Sequence, residues 1–438
     1  MNATQKSMGL GLRALNQLAG GTLLDRVGLR KPVERWVFRG SRGSFRTAAA
    51  VSRTFKKAST LGGPARQSPA RGGELFDLTP DEEQQMLREA IGAFAAEKVR
   101  PAASAADAAC AAPAELLAEA GELGVTMLGI PEQLGGIMVQ RSAVTGVLLA
   151  EALAHGDLGI ALAALAPGAV ASAIGLWGDE EQQAAYLPPF TSEAAPVAAL
   201  ALLEPRPLFD PTKLTTTARK DPDGWVLSGL KTLVPRAAQA ELFLIAAEAE
   251  TLGPCLFIVE SGSSGLFTEP EPAMGLRAAA TGRLALEGVR VPHSALLGAG
   301  SREIYNECVQ RSRIAWCALA VGAAQAVLDY VIPYVNERVA FGQPISNRQA
   351  VAFAVADIAI ELEGMRLLTY RAAARADEGR SFDREAALAR SLCSEKAARI
   401  GSEGVQLLGG HGYIKEHPVE RWFRDLRAAG VMEGALLV

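Results

Sequence analysis

Cysteine and histidine are scarce in this sequence, and neither is clustered. The 438 residues include five cysteines and four histidines. No two cysteines are spaced as CxxC, and no Cys/His spacing resembles that of a zinc site. An odd number of scattered cysteines also argues against a disulfide framework. We therefore expect a reduced compartment and no structural metal.

Long apolar runs are lacking as well. No run of 18 apolar residues appears, and a helix that crosses a bilayer needs about that length. We therefore expect no membrane span. Apolar residues still make up 49% of the chain, which is long enough to bury a large core in two or three domains.

Acidic residues are nearly absent from the first 71 positions. This segment holds 14 Lys/Arg against only Asp25 and Glu34, which leaves 30 basic and 46 acidic residues for the rest. A basic arm on an acidic body suggests an anionic partner, such as a phospholipid surface or an acidic protein. Arg-rich, acid-poor composition is also typical of a mitochondrial transit peptide. Three interpretations stay open: a membrane- or partner-docking arm, a cleaved targeting segment, and passive disorder.

These interpretations set the expected location and partners. We expect a cytoplasmic protein, with peripheral membrane contact through residues 1–71 if the arm docks. If the arm is a transit peptide, the protein is mitochondrial. We expect no nucleic-acid partner.

The folded body is predicted to begin near residue 78, after a Gly/Pro/Ser-rich linker at 60–73. Thr79 as N-cap, Pro80 in the first turn and Glu82 three residues after Thr79 form a helix start signal. An apolar helical face follows, made of Met86, Leu87, Ala90, Ile91 and Phe94. Ala- and Leu-rich helical stretches continue to about residue 190. We assign residues 1–74 to the extension and linker, and 75–195 to a helical domain.

Composition changes at about residue 196, and strand signals replace helical ones. A hairpin is predicted from Leu214–Ala218 and Trp225–Ser228, joined by the turn at Asp221–Gly224. Further strand-length apolar runs are Leu242–Ala246, Cys255–Val259 and Leu284–Val291. Long helices return with Arg313–Val335, Gln349–Glu378 and Glu385–Leu407. The prediction is a mainly α protein with a central β-domain at 196–300 and a C-terminal helical bundle at 301–438.

Several stretches after residue 78 resemble, in order, motifs of the acyl-CoA dehydrogenase family. They are Leu123–Gly136, Val289–Pro292 with Leu296–Gly298, Glu337–Ile345, Gln406–Tyr413, Glu420–Asp425 and Glu433-Gly434. Each is weak alone, and together they carry a strong resemblance. It implies an N-terminal helical domain, a middle β-barrel-like domain and a C-terminal four-helix bundle. It also implies FAD as cofactor, an acyl-CoA substrate and an electron-transfer flavoprotein-like acceptor.

Glu433 matches the family's catalytic base. The resemblance implies that it takes the α-proton of an acyl thioester while the β-hydrogen leaves as hydride for the flavin, giving a trans-2-enoyl-CoA. Its apolar chain neighbours predict a raised pKa, as a base near neutrality needs. Some members carry the base on the helix that begins near Arg311, but that position here is Ser312. Arg313 matches a family arginine near the acyl-CoA pocket, although it could equally be a surface charge.

A second set of residues would hold the cofactor. Arg338 and Phe341, three apart at a helix end, would point a guanidinium and a ring the same way. The resemblance adds glycines that let a ligand approach the backbone, and the full set is Arg338, Phe341, Gln349, Gln406, Gly409 and Gly410. In the family these elements grip the FAD of a neighbouring subunit, which implies a homo- or hetero-oligomer, a dimer or tetramer. The plainer alternatives are a surface Arg, a core Phe and an ordinary helix C-cap.

The flavin-ring motifs depart from the family pattern. Its Ala-Leu-Thr-Glu-Pro-Gly-Ala-Gly-Ser-Asp reads here Ala201–Asp210, with Leu203 and Phe209 in place of hydroxyl residues. Its Lys-x-Trp-Ile-Thr-Asn-Gly becomes Lys231–Ala237, with Leu233 and Pro235 in place of Trp and Thr. Each hydrogen bond lost to the ring would cost about 1 kcal/mol. Two hypotheses remain: an FAD-dependent dehydrogenase with an unusual flavin pocket, or a non-catalytic, half-site subunit of a hetero-oligomer.

Overall fold

The computed structural model describes residues 79–136, 141–192, 195–433 and 438. The basic arm and the linker lie outside these residues, so the expectations for them stay predictions. The three boundaries placed between the four predicted segments also stay predictions.

The first part of the chain is helical, as predicted. The helices are α1 Glu82–Phe94, α2 Arg100–Ala109, α3 Ala114–Glu122, α4 Ala143–Gly156, α5 Leu158–Trp177 and α6 Glu180–Tyr186, with a π-helical turn at Ala95–Val99 between α1 and α2.

The predicted N-cap of α1 is wrong by two residues. Asp81 is the N-cap, and it shares a reciprocal capping box with Gln84 in place of the expected Thr79 and Glu82. An Asp side chain directly before the first turn accepts the exposed backbone N–H as well as Thr does. The apolar face is narrower than predicted, since Ile91 is fully buried whereas Met86 is 65% exposed.

Among the described residues, two helices are long and apolar enough to cross a membrane by length and composition alone, although the sequence has no unbroken run of 18 apolar residues. In α5 and in Arg302–Glu337, 94% and 83% of the apolar window is buried inside the fold. Gly, Pro and Ser interrupt α5 without adding charge, so counting strictly apolar residues missed it. Both act here as core helices.

The middle of the chain forms a seven-stranded sheet. Its strands are β1 Ala198–Ala201, β2 Thr217–Asp221, β3 Gly224–Val234, β4 Leu242–Ala249, β5 Gly253–Glu260, β6 Leu266–Pro270 and β7 Gly282–Val291. The order is β1-β4-β2-β3-β7-β6. Strands β1 and β2 pair with successive parts of one edge of β4, and β5 pairs with β4 along its opposite edge. The β2–β3 pair is the predicted hairpin.

Strand β4 is buried on both faces. Leu242 and Leu244 belong to the main core, which the helices share, whereas Phe243 and Ile245 face a second core enclosed by the sheet. Alternate residues of a strand point to opposite faces of the sheet. Because both faces of β4 pack on an apolar core, its residues form an uninterrupted apolar run.

Long helices complete the fold. They are α7 Arg302–Glu337, α8 Gln349–Asp377 and α9 Asp383–Leu408, followed by the short α10 Val419–Leu426. The three long helices pack on one another, and α7 also packs on α4. The predicted class, mainly α with a central β-domain, is confirmed.

Charged side chains of α10 tie the chain end to the earlier parts of the fold. Arg421 pairs with the buried Asp157 at 3.0 Å. Arg424 makes a bidentate pair with Asp107, at 2.8 and 3.0 Å. Asp425 accepts the backbone N–H of Leu276 at 2.6 Å. These contacts, the α10 clamp, fix the segment that leads to Glu433 against both the first helices and the β6–β7 connection.

Candidate functional site

Glu433 is buried and held by two arginines. Arg313 donates Nε to Oε2 and Nη2 to Oε1 of Glu433, both at 2.9 Å. Arg390 donates to Oε1 at 3.5 Å. The expectation of an apolar environment is therefore wrong, because residues adjacent in the chain are not the groups that the carboxylate contacts. A bidentate guanidinium fixes the orientation and the plane of a carboxylate.

The two arginines come from different long helices. Arg313 lies on α7 and is partly buried, so the alternative of a free surface charge is wrong. Arg390 lies on α9 and also donates to the backbone carbonyl of Ala429, as the Ser394 hydroxyl does at 3.3 Å. The turn before Glu433 is thus anchored to α9. Ser312, the position of the alternative base, is fully buried.

The cofactor-binding candidates are exposed at the far end of α7. Helix α7 ends at Glu337 and Arg338 is its C-cap, so Phe341 does not continue the helix as predicted. Instead, the two-residue strands Val339–Ala340 (β8) and Gln343–Pro344 (β9) form a hairpin. Its two-residue turn has positive φ at Phe341 (55°) and at Gly342 (80°), as a type I′ turn requires.

This hairpin presents an aromatic ring to solvent. The Phe341 side chain is 94% exposed, and its only described ring contact is the Arg348 guanidinium, 5.2 Å from the ring centre. Within the described part of the chain, the side chains of Arg338, Gln349 and Gln406 form no hydrogen bond or ion pair. Exposed planar groups with unused donors suit an anionic, ring-bearing ligand.

The glycine turn lies beside the same end of α7. Tyr334, one turn before Arg338, bonds through its hydroxyl to the Leu408 carbonyl (3.3 Å) and to His411 Nδ1 (2.9 Å). The turn at 409–410 is therefore adjacent to the hairpin. A Cβ added at Gly409 or Gly410 would meet no atom within 4 Å, so both backbones border open space. The C-cap interpretation also holds, because Gly409 ends α9 with φ 59°.

Comparison with known proteins identifies the family. Sequence models of the acyl-CoA dehydrogenase N-terminal, middle and C-terminal domains match residues 81–194, 199–289 and 300–436. The chain belongs to the acyl-CoA dehydrogenase family. It is 35% identical over 365 residues to the mitochondrial short-chain specific acyl-CoA dehydrogenase of Bos taurus, covering 81% of this chain and 87% of that protein.

Solved structures of the family agree. The butyryl-CoA dehydrogenase of Megasphaera elsdenii matches with a TM-score of 0.76 and 30% identity, over 82% of this chain and 96% of that one. A glutaryl-CoA dehydrogenase of Mycobacterium smegmatis, solved in complex with FADH2, matches with a TM-score of 0.74 and 25% identity, over 81% and 92% of the two chains.

The second ring-side motif of the family has few free hydrogen-bond donors here. Thr232 N donates to the Leu203 carbonyl at 3.1 Å, and Thr232 Oγ1 and Leu233 N donate to Glu271 at 2.6 and 2.9 Å. Arg236 N donates to the Ala279 carbonyl at 2.9 Å. Pro235 has no N–H at all. This stretch therefore fits the hydrogen-bonding edge of a flavin poorly, whereas the exposed hairpin end fits its adenosine diphosphate.

The first ring-side motif closes on itself. Arg206, which replaces a family glycine, donates to the carbonyls of Asp210 and Lys213 and lies 5.3 Å from the centre of the Phe209 ring. Leu208 replaces a second glycine, with φ 51° and a side chain 99% exposed. In the loop that is glycine-rich in the family, the Arg206 side chain therefore bonds to the loop's own backbone.

Two family positions retained in these motifs, Glu204 and Lys231, pair with each other. Lys231 Nζ lies 3.0 Å from Glu204 Oε1, and neither side chain is more than 1% exposed. Glu204 also accepts from Thr215 N, Thr215 Oγ1 and Thr216 N at 2.8, 2.6 and 2.8 Å. Burial opposes ionisation, but Lys231 and these bonds hold the pKa of Glu204 near 2. Glu204 and Lys231 are thus structural, whereas the lost residues are those expected to face the flavin.

Sequence reasoning missed three residues of the site. Arg390 contacts Glu433, and Tyr334 and His411 support the glycine turn. The available signal for Arg390 was a lone arginine inside the Ala- and Leu-rich stretch of α9, where an unpaired cation is costly. His411 belongs to the Gln406–Tyr413 motif, and nothing in that motif indicates that its imidazole contacts the Tyr334 hydroxyl.

Proposed function

We propose that this chain catalyses FAD-dependent α,β-dehydrogenation of an acyl-CoA thioester, with Glu433 as the base. The observation that carries the proposal is a buried carboxylate at the family's base position, fixed in one orientation by a bidentate guanidinium from the central helix. Membership of the family supports the reaction class.

The proton transfer depends on which lone pairs of Glu433 are free. An ionised carboxylate has about four acceptor positions. Arg313 uses one on each oxygen, and Arg390 approaches Oε1 at 3.5 Å. The least occupied oxygen is therefore Oε2. We propose that Oε2 accepts the α-proton, while Arg313 and Arg390 keep the carboxylate oriented until substrate binds.

The cofactor would be shared between subunits. Bound FAD supplies the acceptor for the β-hydride. The exposed hairpin and glycine turn support binding of the adenosine diphosphate part of a neighbouring subunit's FAD, through the set Arg338, Phe341, Gln349, Gln406, Gly409 and Gly410. A homo- or hetero-oligomer follows from this sharing. An electron-transfer flavoprotein-like partner would then reoxidise the cofactor.

The test is absorbance of the purified protein reconstituted with FAD. Wild type should be yellow and should bleach on addition of butyryl-CoA under anaerobic conditions. Glu433→Gln should keep the yellow colour and lose the bleaching, because an amide cannot accept the proton. Glu115→Gln, at an exposed position on α3, is the matched control and should bleach like wild type. Persistent bleaching by Glu433→Gln would show that another group is the base.

A half-site subunit is the second candidate function. The backbone donors already used at 232–236, together with Pro235, favour it. In that case the protein alone stays colourless with excess FAD. Mixed with a complete family member, it should form a hetero-oligomer whose bound FAD is released more easily when this chain carries Arg338→Ala. A yellow homo-oligomer that bleaches would eliminate this candidate.

A further inference from the structure

A second arginine of α7 holds the chain beyond Glu433. Arg311 Nη1 donates to the carbonyl oxygen of Val438 at 3.1 Å. Arg311 is itself buried and has two other contacts. Its Nε lies 2.7 Å from Glu307 Oε1, one turn earlier on α7, and its guanidinium carbon lies 5.3 Å from the centre of the Phe382 ring. These contacts fix the planar guanidinium, so it presents Nη1 to Val438 in one direction.

The Val438 side chain is held as well. It is 7% exposed and lines a cavity of about 40 Å³ between α4, α5 and α7. A Cβ added at Gly146 on α4 would lie 3.2 Å from both Cβ and Cγ1 of Val438, which is closer than an ordinary van der Waals contact. Glycine inside a helix is less stable than alanine. The missing side chain at Gly146 is therefore what leaves room for Val438.

The two arginines hold the chain on different sides of α7. Arg313, two residues after Arg311, binds the Glu433 carboxylate. Two residues of an α-helix correspond to a rotation of about 200°. The chain thus contacts α7 at Glu433 and contacts its opposite side at Val438. Since Arg390 and the α10 clamp hold the segment before Glu433, the residue lies between two anchored points.

We propose that Arg311 is a positioning residue, which holds Val438 and thereby limits the positions open to the Glu433 carboxylate. The inference rests on the proposed function for the role of Glu433 as base. The described hydrogen bonds of Arg311 go to Glu307 and Val438, so its effect on the carboxylate passes through the backbone. Proton transfer requires the base within hydrogen-bond reach of its proton. Releasing Val438 should therefore slow the chemical step more than it weakens substrate binding.

Hydrogen exchange reads the position of the segment at Glu433 without any catalysis. The amides of Val431 and Met432 both donate to the Ala428 carbonyl at 2.9 Å, directly before Glu433. Their exchange, followed by mass spectrometry on the whole protein, reports how often these bonds open.

Arg311→Met is the first variant, because methionine keeps an apolar stem and has no donor. Exchange at Val431 and Met432 should become faster, and Arg311→Lys should recover part of the wild-type protection. Glu307→Gln is the matched control. It removes the charge of the other partner of Arg311, its amide oxygen still accepts from Nε, and the bond to Val438 remains, so exchange should stay as in wild type.

Gly146→Ala is the second variant, and it displaces Val438 without altering Arg311. The added Cβ pushes Val438 towards the cavity, while alanine is the better helix former, so the variant should fold. Anaerobic bleaching by saturating butyryl-CoA should slow by a factor of about three to ten, with the half-saturating concentration unchanged. Gly92→Ala on α1 is the matched control, since its Cβ would meet nothing within 4 Å. Its urea midpoint should rise and its bleaching should match wild type.

Two results would overturn the proposal. One is unchanged exchange at Val431 and Met432 in both Arg311→Met and Gly146→Ala. The other is faster exchange combined with wild-type bleaching, which would show that the anchor does not position the base. A wild-type protein that never bleaches would instead refute the proposed function, and exchange would still show whether Arg311 holds this segment.

Discussion

Replacing Lys231 by Met should destabilise the protein strongly. The variant removes the cation from a pair whose atoms lie 3.0 Å apart and whose side chains are at most 1% exposed, and leaves Glu204 buried without its counter-ion. Breaking a buried pair from one side costs about 3–5 kcal/mol. Lys98→Met is the matched control, since Lys98 is 57% exposed in a 3.5 Å pair and its loss should cost less than about 1 kcal/mol.

Urea unfolding, followed by tryptophan fluorescence, measures the effect. Trp225 lies on β3, the strand that carries Lys231, and is 5% exposed, so it reports on the same sheet. Adding Glu204→Gln to Lys231→Met should restore part of the loss, because it removes the unpaired buried charge while the one amide oxygen still accepts from Thr215 N and Thr215 Oγ1.

The pH dependence gives a second readout of the same pair. The folded-state pKa of Glu204, about 2, is below its unfolded value, so its contribution is present above about pH 4.3 and is lost as the pH falls towards 2. Lys231→Met should abolish that acid-side loss. A single variant within about 1 kcal/mol of wild type, or a double variant less stable than the single one, would refute the reasoning.

Three further predictions concern other parts of the molecule. Burial, together with the nearby charge of Asp157, raises the pKa of Asp425 to about 7. The folded state then keeps a proton that the unfolded chain releases, so the free energy of unfolding should fall as the pH rises from about 4 to 7. In urea unfolding at pH 5, 6 and 7.5, Asp425→Asn should remove up to about 1.4 kcal/mol of this fall per pH unit. Leu208→Gly should stabilise by about 1 kcal/mol in the same assay, because it relieves positive φ and removes no packing; an unchanged midpoint would argue against strain there. Deleting residues 1–71 should abolish sedimentation with anionic liposomes if the arm docks to membranes, and unchanged sedimentation would remove that interpretation.

The architecture could be predicted because local signals agree with it. The turn at Asp221–Gly224 lies between two segments of strand-like sequence, and strands β2 and β3 form a hairpin around it. Long apolar repeats of helical period predict helices α7, α8 and α9. Such repeats indicate that a helix is present more reliably than they indicate where it begins and ends. The boundaries depended on single side chains, so Asp81 displaced Thr79 as N-cap, and a two-residue turn at Phe341 replaced a helical continuation.

The sequence predicts which residues belong to the candidate site, but it does not predict which of these residues contact each other. Glu433 and Arg313 were both selected, yet they are 120 residues apart, and nothing local indicates that they form an ion pair. Arg390 enters only because α9 packs beside the chain end. In the same way, the motif Glu420–Asp425 gave no sign that its charged groups would reach Asp107 and Asp157 in the first helices.

The α10 clamp makes the position of Glu433 depend on domain assembly. Its anchors, Asp107, Asp157 and Leu276, belong to segments synthesised long before the chain end and far apart in the sequence. A nascent or proteolysed chain that lacks the first helices would keep Glu433 but lose two of the three anchors that orient the segment before it. On the proposed role of Glu433 as base, catalytic competence is acquired only when the helices and the β6–β7 connection have packed against α10. A substitution at Asp107 should then lower activity although Asp107 is far from Glu433 in the sequence.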